Sequence, residues 1–516
     1  MENVDLVDLD KSINSSFLSG NIFLFNNDEF KSLDRSEVFN YEIQYLQGGF
    51  VAAEIRDKKV RLRTDLYGIR ELYLYKNQDQ FIVSSSLPDI ISILKHNDIQ
   101  LNINYSIVKE VFTYFNQLSL DSPIKELKRI SACDVEIDLY DLKRNFKKHD
   151  HSLISEISDK SPLQLINDFF DHLNDKISLA LSGGLDSRFL LSILYNRNGD
   201  FNTISFGHPE HKDRIYAEKI SSQLNIEHIP FYDVLNHKKE QNRLRSYLIN
   251  NRFENDFSVF QLFKYYPKIN NLVIDGCNLA ALRNSYFTKL KLFGIDQWKR
   301  TDVNSLHEYF VNKKHNIFSD NIYYLNDELI NDLFNYSENK SLNNWITEIS
   351  FRIKSSNFFG NEQRDIDKYA NSISPFLFPV MAGSIIKSND LKKNGYKLMR
   401  DTIKKFTPEL TKIDLVKSGV LAKFNSSMIS SKLKMQLSKK TRSIQNELII
   451  NDTMSQVNEL LENCYENSKK TGLYSDEMNK EIELHLQNKK TKLPMIDRFL
   501  AFEIYRNLIE DSDEIL

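Results

Sequence analysis

Residues 176–187 have the sequence Lys-Ile-Ser-Leu-Ala-Leu-Ser-Gly-Gly-Leu-Asp-Ser. The apolar half of this stretch predicts a short, buried strand of a parallel sheet. The residues that follow, 188–195, have the pattern of the first turns of an amphipathic helix. A glycine turn between a strand and a helix N-terminus favours anions, because free backbone N–H groups point into the turn and the helix dipole adds positive potential.

The loop at 182–187 therefore predicts a phosphate-binding site. Two hydroxyls add hydrogen-bond donors, and Asp186 is placed to hold Mg²⁺ beside phosphates. No Gly-Lys-Ser/Thr follows the glycines, so the loop differs from a Walker loop. A Ser-Gly-Gly turn by itself is common in proteins. The prediction of a phosphate site therefore rests on all six residues of 182–187, placed between a strand and a helix. The predicted binding residues are Ser182, Gly183, Gly184, Leu185, Asp186 and Ser187.

Length and charge narrow the class of protein. A chain of 516 residues predicts two or three domains, and 68 Lys plus Arg against 71 Asp plus Glu gives no indication of a nucleic-acid or membrane partner. Cys133, Cys277 and Cys464 are too far apart for a paired metal motif or a disulfide framework. The acidic N-terminus lacks the features of a signal peptide, and no apolar run is long enough to span a membrane. We expect a cytoplasmic protein.

Residues 1–155 predict an α+β domain built on a β-sandwich, because short apolar segments alternate with turn residues. The predicted strands lie at 21–25, 49–55, 59–63, 72–75 and 81–83.

Residues 156–516 predict an α/β domain with a doubly wound parallel sheet, followed by a helical C-terminal region. Strand-like segments at 202–206, 227–231 and 272–275 alternate with helical segments. Ligands of such sheets bind at the carboxyl ends of the strands, which is where the loop at 182–187 falls.

The two halves together resemble the asparagine synthetase family, which includes β-lactam synthetase and the lasso-peptide cyclases. In the first domain the resemblance rests on residues 48–50, 63–73, 84–86 and 123–130, and in the second on the loop. It implies a glutaminase-like (Ntn) fold for the first domain. For the second it implies the fold of the adenine nucleotide alpha hydrolases, also called PP-loop-like.

The resemblance breaks at the glutaminase nucleophile. That family hydrolyses glutamine with an N-terminal cysteine exposed after methionine removal. Position 2 is Glu2 here, and no cysteine precedes Cys133. We therefore expect no glutaminase activity and a first domain retained for its structure.

The resemblance also assigns residues of the second domain. It places Ser205, Phe206 and Gly207 beside the adenine, although ordinary packing also explains them. Asp213 is better interpreted as a helix N-terminal acid than as a ligand. The resemblance matches Lys417 to a lysine that stabilises negative charge on the adenylate and the pyrophosphate.

A second departure lies in residues 275–286, which match a glycine-rich loop with an Asp-Glu pair. Ala280 and Ala281 stand at the positions of this Asp-Glu pair, and alanine cannot bind Mg²⁺. Either Asp275, Asn278 or water substitutes for them, or a second metal is lost.

Three further sites follow from the resemblance. Gly276 and Arg283 are assigned to the nucleotide site, although Arg283 could instead pair with a carboxylate. Asn371 replaces the acid that organises the amine substrate in asparagine synthetases. The charged group at 362–367 could contact substrate, but an exposed helix start explains it better.

These residues predict an ATP- and Mg²⁺-dependent carbon–nitrogen ligase. A carboxylate would attack the α-phosphate of ATP, and ammonia or a substrate amine would then displace AMP, with Asp186 as the metal ligand and Asp186 and Lys417 as catalytic residues. The expected partners are a small-molecule or peptide carboxylate and amine, and a second copy or a pathway enzyme, in specialised metabolite, modified peptide or polysaccharide biosynthesis.

Two alternatives stay open. Ala280, Ala281 and Asn371 favour a catalytically degenerate, nucleotide-binding scaffold or regulatory protein. Sulfur transfer to tRNA has less support, because the chain has neither a reactive cysteine pair nor a basic surface run.

Overall fold

The fold is described from a computed structural model of the chain. The described residues are 15–33, 35–77, 81–114, 117, 119–138, 140, 143–149, 157–173, 175–232, 241–250, 252, 269, 271–276, 355–357, 359–367, 370–387, 389–417, 420–426, 458–487 and 493–510.

In its described residues, the N-terminal region contains antiparallel strands and two α-helices. The strands are β1 (Ser15–Gly20), β2 (Phe23–Asn26), β3 (Glu29–Ser32), β4 (Leu46–Gln47), β5 (Phe50–Arg56), β6 (Lys59–Thr64), β7 (Leu72–Lys76), β8 (Phe81–Ser84), β9 (Leu127–Ile130), β10 (Cys133–Asp138) and β11 (Arg144–Lys148). The helices are α1 (Leu87–His96) and α2 (Tyr105–Tyr114).

These strands form stacked sheets, as predicted. A five-stranded sheet in the order β1-β5-β6-β10-β11 packs against a three-stranded sheet in the order β8-β7-β9. Successive side chains of β5 face opposite sides, with Val51 and Ala53 in the core between these sheets. Phe50 and Ala52 pack on the other side, against a small sheet of β3, β2 and β4. The predicted β-sandwich is therefore confirmed.

The next region alternates helices with parallel strands. Its elements are α3 (Pro162–His172), β12 (Ile177–Ala180), α4 (Leu185–Asn196), β13 (Phe201–Phe206), α5 (Lys212–Gln223), β14 (His228–Phe231), α6 (Gln241–Asn250), β15 (Leu272–Ile274), α7 (Gly360–Asp367) and β16 (Ser372–Ile373).

The five strands of this region form one parallel sheet in the order β14-β13-β12-β15-β16. Leu179 and Ile274 face one hydrophobic core, whereas Ile204 and Val273 face another, so both faces of the sheet are buried. The predicted α/β architecture is confirmed at this level. The strand order reverses beside β12, and sheets of this type bind ligands at such a switch point.

The C-terminal region is mostly helical in the part that the structure describes. It contains α8 (Pro379–Lys387), α9 (Asn389–Phe406), the hairpin of β17 (Leu415–Lys417) and β18 (Val420–Ala422), α10 (Asp476–Leu486) and α11 (Leu493–Glu510). Helix α9 packs on α4. Helix α11 reaches the N-terminal region, where the Phe502 ring lies edge-on to Phe112 of α2 at 5.8 Å. None of the described helices is both long and apolar enough to cross a membrane.

Candidate functional site

The loop at 182–187 connects β12 to α4 at the carboxyl edge of the sheet, as predicted. Its own serines hold its shape. The Ser182 N–H donates to Ser187 Oγ at 3.1 Å, the Gly184 N–H donates to Ser182 Oγ at 3.2 Å, and Ser187 Oγ donates to the Ser182 carbonyl at 3.2 Å. Ser187 is buried, whereas Ser182, Gly184 and Asp186 are partly exposed. The exposed part of the loop thus includes the predicted metal ligand.

Gly183 is enclosed by two segments distant in sequence. Its N–H donates to Asp213 Oδ1 at 3.1 Å, and its carbonyl accepts from the Val416 N–H at 2.8 Å. A Cβ at Gly183 would lie 2.3 Å from Val416 Cγ2, so only glycine fits there. Lys417 follows Val416 and ends β17, and only its backbone belongs to the described part of the chain.

Asp213 lies in the first turn of α5, as predicted, and its carboxylate also reaches the loop. Burial raises its pKa, opposed by nearby His211, by the hydrogen bond from Gly183 and by Arg188. The Asp213 carboxylate therefore accepts a hydrogen bond from one of the loop N–H groups that the sequence analysis assigned to phosphate.

Arg188 is a structural residue of the site that the sequence interpretation missed. Its side chain is completely buried and donates to the carbonyls of Gly183 at 3.0 Å, Ile413 at 2.8 Å and Asp414 at 2.5 Å. Burial lowers its pKa to about 10, so the guanidinium remains charged at neutral pH. It joins the loop to the segment that leads into β17. The available signal was an arginine at the start of the apolar run Phe-Leu-Leu at 189–191.

Ser205 lies near the end of β13, the strand beside the loop. Its Oγ is 3.0 Å from Nε2 of His228, and the Thr203 hydroxyl is 2.9 Å from Nδ1 of the same ring. Burial lowers the pKa of His228, which favours the neutral ring. The Ser205 hydroxyl is thus part of a polar cluster between neighbouring strands.

Phe206 and Gly207 complete this edge. The Phe206 ring stacks on Phe231 with centroids 5.5 Å apart. The Gly207 N–H donates to the Phe231 carbonyl at 3.2 Å, and its φ of +119° requires glycine. The predicted adenine-side residues therefore lie at the correct edge of the sheet, and their contact with a nucleotide stays a prediction.

Asp275 and Gly276 follow β15, on the other side of the switch point from the loop. A Cβ on Gly276 would lie 3.5 Å from Asp186 Cβ and 3.7 Å from the Ser187 nitrogen, so this segment lies against the first turn of α4. Asp275 is buried, and its Oδ2 accepts a hydrogen bond from Gln363 Nε2 at 2.8 Å. Asp275 is one of the groups that the sequence analysis named as a replacement for the missing Asp-Glu pair. It lies at the same edge of the sheet as the loop.

The predicted ligands fit Mg²⁺ only if the nucleotide contributes. Among the described residues, no group of three or more His, Cys, Asp or Glu side chains is arranged to hold a metal. Magnesium in nucleotide sites commonly binds one or two carboxylates together with substrate phosphates. Asp186 and Asp275 are carboxylates at this edge of the sheet among the described residues. Asn278, Ala280, Ala281 and Arg283 lie outside the described residues.

Residues 174–237 match the family model described as asparagine synthase. Over this segment the chain is similar to the asparagine synthase family. The family comprises carbon–nitrogen ligases, and the segment contains β12, the loop, β13, α5 and β14. No curated protein matches the chain.

The structure contradicts the interpretation of the charged residues at 362–367 as an exposed helix start. Arg364 and Asp365 are buried, so an exposed helix start is wrong for them. Arg364 Nη1 donates to the Ile69 carbonyl at 2.8 Å, and Asp367 forms an ion pair with Arg70. These charges are buried because α7 packs between the asparagine synthase segment's sheet and the N-terminal region.

A cavity of about 340 Å³ lies at the opposite edge of the sheet. It is lined by Lys176 and Phe201, near the amino ends of β12 and β13, and by Asp200. None of the predicted site residues lines it. The loop, rather than this cavity, therefore carries the functional interpretation.

Proposed function

We propose that the chain is an ATP-dependent, amide-bond-forming ligase. A substrate carboxylate attacks the α-phosphorus of ATP, which forms an acyl-adenylate and releases pyrophosphate. Ammonia or a substrate amine then attacks the acyl carbon, and the bond to AMP breaks. The observation that carries this proposal is the loop at 182–187, which lies at the switch point of a parallel sheet within an asparagine synthase segment.

The chain's residues would act mainly by positioning and charge neutralisation. The partly exposed loop and the first turn of α4 bind phosphates through backbone N–H groups. Asp186 holds Mg²⁺, which neutralises phosphate charge when bound. Lys417 stabilises the charge that develops on the adenylate and the pyrophosphate. Gly276 and Arg283 belong to the phosphate side of this proposal, and residues 205–207 to the adenine side.

The nitrogen source in this proposal is ammonia or an amine supplied by another molecule. We therefore assign the chain to amide or lactam formation in specialised biosynthesis, acting on a small-molecule or peptide substrate, as a homodimer or with a pathway enzyme. A cytoplasmic location is part of the proposal, and the free thiols of Cys133 and Cys464 suit a reducing compartment.

Pyrophosphate release tests this function. The chain is incubated with ATP, Mg²⁺ and a panel of carboxylic acids and amines. Asp186→Ala should lower the rate by roughly 10²- to 10³-fold, since it removes a group that neutralises transition-state charge. Asp200→Ala is the matched control, because this exposed acid lies at the opposite edge of the sheet and should leave the rate unchanged.

A nucleotide-binding scaffold is the second candidate function. The contact of Asp213 with the Gly183 amide favours it, because that amide already has a partner. A parent protein that binds ATP in calorimetry but releases no pyrophosphate with any acid would support the scaffold over the ligase. A parent that binds no nucleotide would contradict both.

A further inference from the structure

The two regions of the chain meet at a buried charge cluster. Glu71 follows β6 and is completely buried. Its carboxylate accepts from Arg129 Nε at 2.5 Å and from Arg252 Nη1 at 2.7 Å, and it lies 3.4 Å from Arg364 Nη2. Arg129 belongs to the N-terminal region, whereas Arg252 and Arg364 follow the parallel strands β12–β14. One carboxylate thus compensates guanidinium groups from both sides of the contact.

Helix α7 is held tightly at this contact. Arg70 forms an ion pair with Asp367 at its last residue, and the Ile69 carbonyl accepts from Arg364. A Cβ at Gly360, the first residue of the helix, would lie 2.9 Å from the Ile69 carbonyl oxygen. Neither end of α7 can therefore shift without breaking polar contacts to the N-terminal region.

The same face of α7 also reaches the candidate site, through Gln363. Gln363 Nε2 donates to Asp275 Oδ2 at 2.8 Å, and the Ser372 hydroxyl donates to Gln363 Oε1 at 3.2 Å. Gln363 is 1% exposed, so water does not compete for this bond. The amide therefore fixes the orientation of the Asp275 carboxylate, which lies at the same edge as Asp186.

We propose that Gln363 is the positioning residue of Asp275, that Asp275 acts with Asp186 in binding the metal–nucleotide complex, and that the N-terminal region serves to hold Gln363 in place. This inference rests on the proposed function of the loop. It gives the N-terminal region a role, because its residues 69–71 hold the helix that orients the acid. In this proposal Asp275 also takes the place of the Asp-Glu pair that residues 280 and 281 lack.

Calorimetry with ATP tests this proposal, with each variant titrated once in Mg²⁺ and once in EDTA. Gln363→Leu should weaken ATP binding roughly 10- to 100-fold in Mg²⁺, the usual effect of losing an outer partner of a metal ligand. In EDTA the affinity should equal that of the parent. Asp275→Asn should show the same selective loss, and adding Gln363→Leu to it should cause no further change.

Gln47→Leu is the matched control. Gln47 is equally buried and also crosses the contact, where its Oε1 accepts from the Val380 N–H at 2.9 Å, away from Asp275. It should not alter the ratio of the affinities in Mg²⁺ and EDTA. An unchanged ratio in Gln363→Leu, or losses that add in the double variant, would overturn the positioning role while leaving ATP binding in place. Absence of ATP binding by the parent would overturn the proposed function and this inference with it.

Discussion

Replacing Glu71 by glutamine tests whether the buried charge cluster stabilises the fold. Glutamine has nearly the same volume and keeps one acceptor oxygen, but it removes the carboxylate that Arg129, Arg252 and Arg364 share. Removing one partner of a buried ion pair typically costs about 3–5 kcal/mol, because the remaining charge stays buried without compensation. We expect Glu71→Gln to lower the free energy of unfolding by that amount.

Urea unfolding followed by circular dichroism at pH 7 measures this change. The matched control is Glu136→Gln, which removes a carboxylate that bonds Lys59 at 2.7 Å on the surface. Solvent screens that pair, so the control should unfold at the same urea concentration as the parent. A Glu71→Gln protein with the parent's midpoint and slope would refute the reasoning.

The pH dependence provides an independent check. Burial alone would raise the pKa of Glu71, but the three arginines outweigh it and hold the pKa well below its ordinary value of 4.5. Because the folded pKa is lowered, the stabilisation is complete above the unfolded pKa and is lost as the pH falls through the folded pKa. The stability difference between parent and Glu71→Gln should be constant from about pH 6 to 9 and should shrink below about 4.5.

Two further predictions concern the loop. Gly183→Ala places a methyl group 2.3 Å from Val416 Cγ2. It should lower the free energy of unfolding in urea by about 1–3 kcal/mol and should weaken ATP binding. The control Gly199→Ala, which has no atom near its added methyl, should change neither quantity. Asp213→Asn retains an acceptor for the Gly183 N–H but removes a charge beside the phosphates, so ATP should bind on the order of tenfold more tightly at pH 8. Since burial raises the pKa of Asp213, this gain should fall as the pH drops and the parent's carboxyl protonates. Calorimetry that showed no gain in ATP affinity at pH 8 would contradict this prediction.

Local sequence patterns predicted the elements that carry the site. The apolar run before Ser182 gives β12, and the glycine turn is followed at Leu185 by α4, because strand and helix periodicity are local properties. The apolar segment at 49–55, followed by turn residues, likewise predicted a sandwich strand, which is β5 in the structure.

The contacts that hold the loop were not predictable in this way. Asp213 was interpreted only as a helix N-terminal acid, yet it accepts a hydrogen bond from Gly183. Arg188 was counted as part of an amphipathic helix, yet it binds the carbonyls of Ile413 and Asp414, more than 200 positions away. No local pattern specifies which distant carbonyl meets a side chain.

The sequence by itself determined the strand, the glycine loop and the helix of the predicted phosphate site. Local backbone preference and side-chain chemistry are enough for those conclusions. Only the tertiary structure decided that Gly276, the neighbour of Asp275, lies against Asp186, and that α7 packs against Ile69 and Arg70. Those arrangements depend on strand order and on burial of charges between regions distant in sequence, and both are properties of the folded chain.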